Sequence, residues 1–186
     1  MMSETISKKH DSNPMAKPRI DKVTVNVAIG KSGDPLDKAV GILEKLTEQK
    51  PILRKAKKTV KEFGIRQGEP IACIVTLKKQ KAIDFLKNAL VAIGNKLSQT
   101  KFDNNGNFAF GISEHIELPG VKYDPNLGII GMDICVTISK PGYRVKNRSK
   151  FTSKIGANHK VTREQSISYL KNMFAIEILE KEIIER

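Results

Sequence analysis

Residues 22–29 read KVTVNVAI, and the regular placing of Val23, Val25, Val27 and Ile29 makes this stretch a strand with one buried face. The turn GKSGDP follows at 30–35, with Asp34 as the expected N-cap and Pro35 as the first helical residue. Leu36, Ala39, Val40, Leu43 and Leu46 then form one apolar stripe of a helix ending near Thr47. Alternation returns at Ile71–Leu77, where Ile71, Cys73, Val75 and Leu77 share a side. A second helix is predicted over about 81–93, with Ile83, Leu86, Leu90 and Ile93 as its stripe. Further strands are expected at Phe108–Ile112 and Met132–Ile138. Thr162 and Gln165 make a capping box opening a last helix that bears Ile167, Leu170 and Phe174. Strands and helices interleave without strict βαβα order. The expected fold class is α+β: a largely antiparallel sheet, helices packed on one face, the other face open, and long basic loops.

The chain has 186 residues, with 33 Lys and Arg against 20 Asp and Glu, a formal charge of +13. Such an excess repels itself until a polyanion neutralises it, which points to nucleic acid. A membrane partner is disfavoured, because the longest apolar runs, such as Ile71–Val75, fall far short of the roughly 20 residues of a spanning helix. The first residues (MMSETISKKHDSNPMAKPR) lack the apolar stretch of a secretory signal; residues 1–18 are expected to be a polar, disordered arm. Residues 19–186 are expected to form a single α+β RNA-binding domain with a long basic loop at 139–160. Cys73 and Cys135 lie far apart, outside any metal-ligand spacing, and read as reduced, buried strand residues suited to the cytoplasm.

Enzymatic motifs fail on geometry. Gly30-Lys31-Ser32 between strand and helix imitates a phosphate-binding loop, but the glycine required five residues earlier is Val25, inside the strand. Ser113, Glu114 and His115 are hydrolase residue types, yet neighbours on a strand point to opposite faces. His10 and His159 have no partner at ligand spacing either. No catalytic residue, metal or cofactor is expected. Asn105-Gly106-Asn107-Phe108-Ala109-Phe110 approximates the aromatic strand of RNA-recognition motifs. The alternative is therefore a regulatory single-stranded-RNA-binding module using Phe108 and Phe110. One extra Asn spoils the spacing, and core packing is the preferred use of both rings.

The positive charge is clustered. Residues 50–66 carry seven basic residues and one acid, Glu62; residues 139–160 carry seven Lys or Arg and no acid. The first mixes these cations with Thr59 and Gly64, the second with Gly, Ser, Thr and Asn, and such residues hydrogen-bond phosphate and ribose. That chemistry suits recognition of structured RNA by shape.

Several blocks also resemble, in order, the large-subunit ribosomal protein five family. They are Leu46-Thr47-Glu48-Gln49-Lys50-Pro51, Lys55-Ala56-Lys57, Phe63-Gly64-Ile65-Arg66, Gly106-Asn107-Phe108-Ala109-Phe110-Gly111-Ile112, Glu114-His115-Ile116, Tyr123-Asp124-Pro125 and Gly128-Ile129-Ile130-Gly131-Met132-Asp133. Lys140-Pro141-Gly142 and Gly156-Ala157-Asn158-His159-Lys160 resemble the archaeal and eukaryotic branch. The resemblance runs from about Lys22 to Leu179. It implies a non-enzymatic ribosomal protein that binds 5S rRNA and anchors it in the central protuberance, beside large-subunit rRNA. By motif it assigns 5S rRNA contacts to Asn26, Gln49, Lys50 and Thr76. A loop carrying Arg54, Lys55, Lys57, Lys58 and Arg66 would meet P-site tRNA. Arg144, Lys146 and Arg148 would join an intersubunit bridge to small-subunit ribosomal protein thirteen. Glu48 and Ala28 stand where the family pattern usually has glycine.

Overall fold

In the computed structural model the described residues are 13–121, 123–125 and 127–179. They contain strands β1 (Arg19–Ala28), β2 (Ile52–Lys55), β3 (Pro70–Lys78), β4 (Lys96–Ser98), β5 (Phe108–Ile112), β6 (Met132–Ser139) and β7 (Glu177–Leu179). The helices are α1 (Asp34–Thr47), α2 (Lys79–Ala92), the single turn α3 (Arg144–Asn147) and α4 (Arg163–Phe174). Five strands form a mostly antiparallel sheet in the order β2-β3-β1-β6-β5, and β4 pairs with β7. The fold is α+β, as expected.

Contacts divide the chain into two compact units, one of residues 22–96 with 109–136, the other of the residues up to 21, 97–108 and those from 137 onward. In the first, β1 and β3 pair antiparallel with Val23 opposite Leu77, Val25 opposite Val75 and Val27 opposite Cys73. These six side chains are at most 2% exposed. Period-2 alternation puts them on one face, and α1 and α2, both packed on β3, cover it. The opposite face carries Lys22 beside Lys78, Thr24 beside Thr76 and Asn26 beside Ile74, and none of these is fully buried. Sheet hydrogen bonding begins at Arg19, earlier than the hydrophobic pattern does. Arg19 and Asp21 share the parity of Val23 but are charged and exposed, so alternation could not reveal that extension.

The cap of α1 differs from expectation. Gly33 is the N-cap, no side chain caps the helix, and Asp34 and Pro35 lie within its first turn. Its buried residues are Leu36, Ala39, Ile42, Leu43 and Thr47; Val40 and Leu46 are half-buried. Thr47 belongs inside because its hydroxyl donates to the Leu43 carbonyl at 2.6 Å. Glu48 terminates the helix in the left-handed conformation, φ 50°. In α2 the buried residues are Ala82, Phe85, Leu86, Ala89 and Leu90, a stripe rotated from the expected one. Cys73 is buried, but Cys135 is exposed on the uncovered face of β6, against expectation; both are free thiols.

In the second unit Leu97, Phe102, Phe108, Ile138, Val161, Leu170 and Ile176 are buried, and the Phe102 and Phe108 rings stack at 5.2 Å. Thr162 caps α4 as expected, its hydroxyl accepting the Gln165 amide hydrogen. The strands β4 and β7 were beyond sequence reading, since three residues show no period. Most of the expected N-terminal arm, with His10, and residues 180–186 of the acidic end lie outside the described residues.

Candidate nucleic-acid interface

The uncovered sheet face positions two of the four residues matched to 5S rRNA contact. Asn26 on β1 and Thr76 on β3 both occupy its alternating positions and are half-buried, with their polar ends on the uncovered side. Ile52 of β2 pairs with Ile74, which pairs with Asn26, so one row crosses three strands. Gln49 and Lys50 are exposed and enter the sheet just ahead of that row. Polar groups at the centre, with Lys22 and Lys78 along one end, suit ribose hydroxyls and phosphates. A groove of about 770 Å³ adjoins this region, lined by Asn26, Asp34, Lys38 and Asp133 among others. Its two carboxylates make it a poor phosphate site.

The basic segment 50–66 is more ordered than a loop. Arg54 and Lys55 lie on the edge strand β2, where a register shift falls between them. Sequence missed this strand because all four residues are exposed and no alternation is visible. Beyond it the chain makes a hydrogen-bonded excursion. The Ala56 amide donates to Glu69 O at 2.8 Å and the Gly68 amide to Ala56 O at 2.9 Å; Val60 and Ile65 exchange bonds of 2.9 and 3.1 Å nearer the tip. Glu69 ties the base, accepting from the Ser32 hydroxyl and, at 3.0 Å, from the Arg66 amide. The Ser32 bond, the Arg66 amide and the Arg66 charge hold its carboxyl below the usual carboxylate range. Ser32 is thus a tether for this excursion, in keeping with the rejected phosphate-loop reading. Arg54, Lys55, Lys57, Lys58 and Arg66 are all exposed.

The second basic segment is pinned at its base. Lys140 is only 5% exposed and its ammonium donates to Lys160 O at 3.3 Å. Burial pushes its pKa down. It is a structural cation rather than a surface one, which a count of charges could not distinguish. Tyr143 Oη accepts from the Val161 amide at 2.9 Å, and His159 Nε2 donates to Pro141 O at 2.8 Å. Arg144 and Lys146 ride on α3, and Arg148 follows it; all three are exposed.

The remaining motifs are structural. Asp103 Oδ1 accepts from the Asn105 and Asn107 amides at 2.9 and 2.7 Å, and Asn107 Oδ1 accepts from the Ile138 amide at 3.2 Å. Phe108 and Phe110 are 3% and 7% exposed, so neither ring can stack on a base. That removes the alternative in which Phe108 and Phe110 bind single-stranded RNA. His115 is buried and its Nδ1 accepts from the Ile130 amide at 3.3 Å, leaving it no part in catalysis. Asp124 pairs with Lys45 at 3.3 Å. Among the described residues no group of three or more His, Cys, Asp or Glu could hold a metal ion, and no helix is long and apolar enough to cross a membrane.

Two family models match this chain: ribosomal protein L5 over residues 13–66, and the C-terminus of the same ribosomal family over residues 70–169. The chain belongs to the ribosomal protein L5 family. This L5-family chain is 50% identical over 165 residues to "Large ribosomal subunit protein uL5" of Aeropyrum pernix, covering 88% of this chain and 86% of the relative. Proteins of the same name from Pyrobaculum aerophilum and Archaeoglobus fulgidus are each 48% identical. They cover 89% and 93% of this chain, and 93% and 97% of their own lengths. L5-family membership makes the chain an rRNA-binding ribosomal protein and not an enzyme. The archaeal relatives agree with the branch that the Lys140-Pro141-Gly142 and Gly156–Lys160 blocks resemble.

Proposed function

We propose that this chain binds 5S rRNA with the uncovered sheet face, anchoring it to large-subunit rRNA in the central protuberance. The observation that carries the reading is the row joining Asn26 to β2 and β3, with Thr76, Lys22 and Lys78 on the same face and Gln49 and Lys50 entering beside it. On this face the described residues offer polar and cationic groups with no aromatic platform, which favours a folded RNA backbone over splayed bases. The basic excursion with Arg54, Lys55, Lys57, Lys58 and Arg66 would meet P-site tRNA, a second folded RNA. Arg144, Lys146 and Arg148 would contribute the intersubunit bridge, with small-subunit ribosomal protein thirteen as partner.

The test is titration of the full chain against 5S rRNA and an unstructured RNA of equal length, at two salt concentrations. Purely electrostatic binding weakens both complexes alike, by roughly 0.7–0.9 log units per tenfold salt for each phosphate neutralised. Preference for 5S rRNA that persists at the higher salt is expected. Equal affinity for both RNAs would sink the proposal.

A further inference from the structure

Phe151 is the most exposed large apolar side chain among the described residues, with 87% of its surface open to solvent. A scattered exposed apolar residue is ordinary. This one is set apart by how its backbone is held. Its φ is 54°, in the left-handed region that a bulky residue with a Cβ rarely enters. The turn is kept closed by Arg148 Nε, which donates to the Phe151 carbonyl at 2.6 Å, and by the Ser153 amide, which donates to Val145 O at 3.2 Å. The loop therefore spends hydrogen bonds and conformational strain to keep the ring outward. Strain of this kind persists where the surroundings over-determine it, and gathers at binding sites.

The chemistry around the ring names the partner. Arg144, Lys146, Arg148, Lys150 and Lys154 are all exposed within seven residues on either side, and residues 139–160 contain no acid. An aromatic face framed by cations fits a nucleic-acid segment: phosphates on Lys150 and Lys154, which the bridge reading does not use, and a base on the ring. A paired base is already stacked within its helix, so the base must be unpaired, in a loop or a bulge. We propose that Phe151 is a stacking platform for an unpaired base of folded RNA, presented by the turn that Arg148 closes. This rests on the reading of the chain as an RNA binder and adds a base-contacting residue between the two matched blocks of this segment, Lys140–Gly142 and Gly156–Lys160. An apolar pocket on a protein partner is the competing use of the ring, and the test separates the two.

The chain has no tryptophan, so Phe151→Trp places a single indole fluorophore at the site. The probes are an RNA hairpin with a six-nucleotide loop and a fully paired duplex of the same length. Stacking predicts that the hairpin quenches the indole while the duplex does not. Phe151→Ala should lose about tenfold in hairpin affinity, Phe151→Trp should retain it, and the salt slope should stay unchanged because no cation is removed. Equal quenching by both probes, or hairpin binding by Phe151→Ala as tight as by the parent chain, would overturn the stacking role. Failure of the parent chain to bind either RNA would instead defeat the underlying RNA-binding reading, and this proposal with it.

Discussion

Gly106 backs directly onto Ser166 at the first turn of α4. A Cβ on Gly106 would strike the Ser166 hydroxyl, and would lie 2.9 Å from Val161 Cγ1 and 3.1 Å from the Thr162 carbonyl oxygen. Its φ of 74° already disfavours any side chain. Gly106→Ala should therefore destabilise the chain by roughly 2–4 kcal/mol, combining overpacking with left-handed strain. The Ser166 hydroxyl is buried with no hydrogen-bond partner among the described residues. Ser166→Ala should be neutral or stabilising by up to about 1 kcal/mol, and should rescue part of the Gly106→Ala loss. Urea unfolding of both single variants and the double variant measures all three quantities.

Phe108 and Phe110 offer a clean separation of packing from recognition. Changing both to Leu should cost about 1–3 kcal/mol at each position, because each leaves a partly unfilled space in a buried site. RNA affinity, measured where the variant is still folded, should not move. A variant with unchanged thermal stability and abolished RNA binding would mean that the rings face RNA after all.

Glu48 ends α1 in a conformation that glycine adopts without strain, and its carboxylate meets Lys81 at 3.4 Å in an exposed pair. Such a pair contributes little. Glu48→Gly should raise stability by about 0.5–1 kcal/mol and, by removing a negative charge beside Gln49 and Lys50, tighten 5S rRNA binding. Calorimetric melting and the RNA titration check the two halves separately.

Glu69 should give the excursion after β2 an acid-sensitive anchor. Its folded pKa lies below its unfolded one, so its stabilising contribution is present above the unfolded pKa and disappears as pH falls through the folded value. Comparing unfolding midpoints of the parent chain and Glu69→Gln should show the parent ahead at neutral pH. The gap should start to narrow only below the ordinary glutamate pKa of about 4.3 and close as pH falls through the lower folded value. A gap independent of pH would contradict this role.

Lys55 and Lys57 are exposed on the excursion and its edge strand, so changing both to Glu should leave stability within about 0.5 kcal/mol. Binding to tRNA should weaken, with the salt slope lowered by roughly 0.7–0.9 for each lysine lost. Loss of cooperative unfolding in the isolated variant would show that this segment holds the fold instead.

Strands with a half-buried face were legible in the sequence because burial on one side writes an apolar period of two, as at Val23, Val25 and Val27. β2 was not legible, since an exposed edge strand needs no such period; its ladder partner β3 supplies the reason it is extended. The helix caps were half legible. Thr162 can cap through its own hydroxyl, whereas Gly33 caps α1 through backbone freedom that leaves no distinctive side chain. At the interface, residue type located the cations but not their surroundings. Lys140 reads like its neighbours, and only packing shows it buried beneath Lys160. Phe151 was hidden for the opposite reason: an aromatic residue in a basic run implies packing until its exposure is known.

The edge position of β2 bears on the chain before it meets any RNA. An unpaired strand edge bearing exposed Ile52 and Leu53 is a template on which a second copy could add its own strand. Arg54 and Lys55 follow immediately, and the register shift between them spoils a straight run of pairing groups. Charge repulsion between two such edges then guards the newly made chain against self-association. The lysines and arginines proposed to meet RNA should then also keep the unassembled protein in solution, and neutralising them without supplying RNA should convert it into an aggregate.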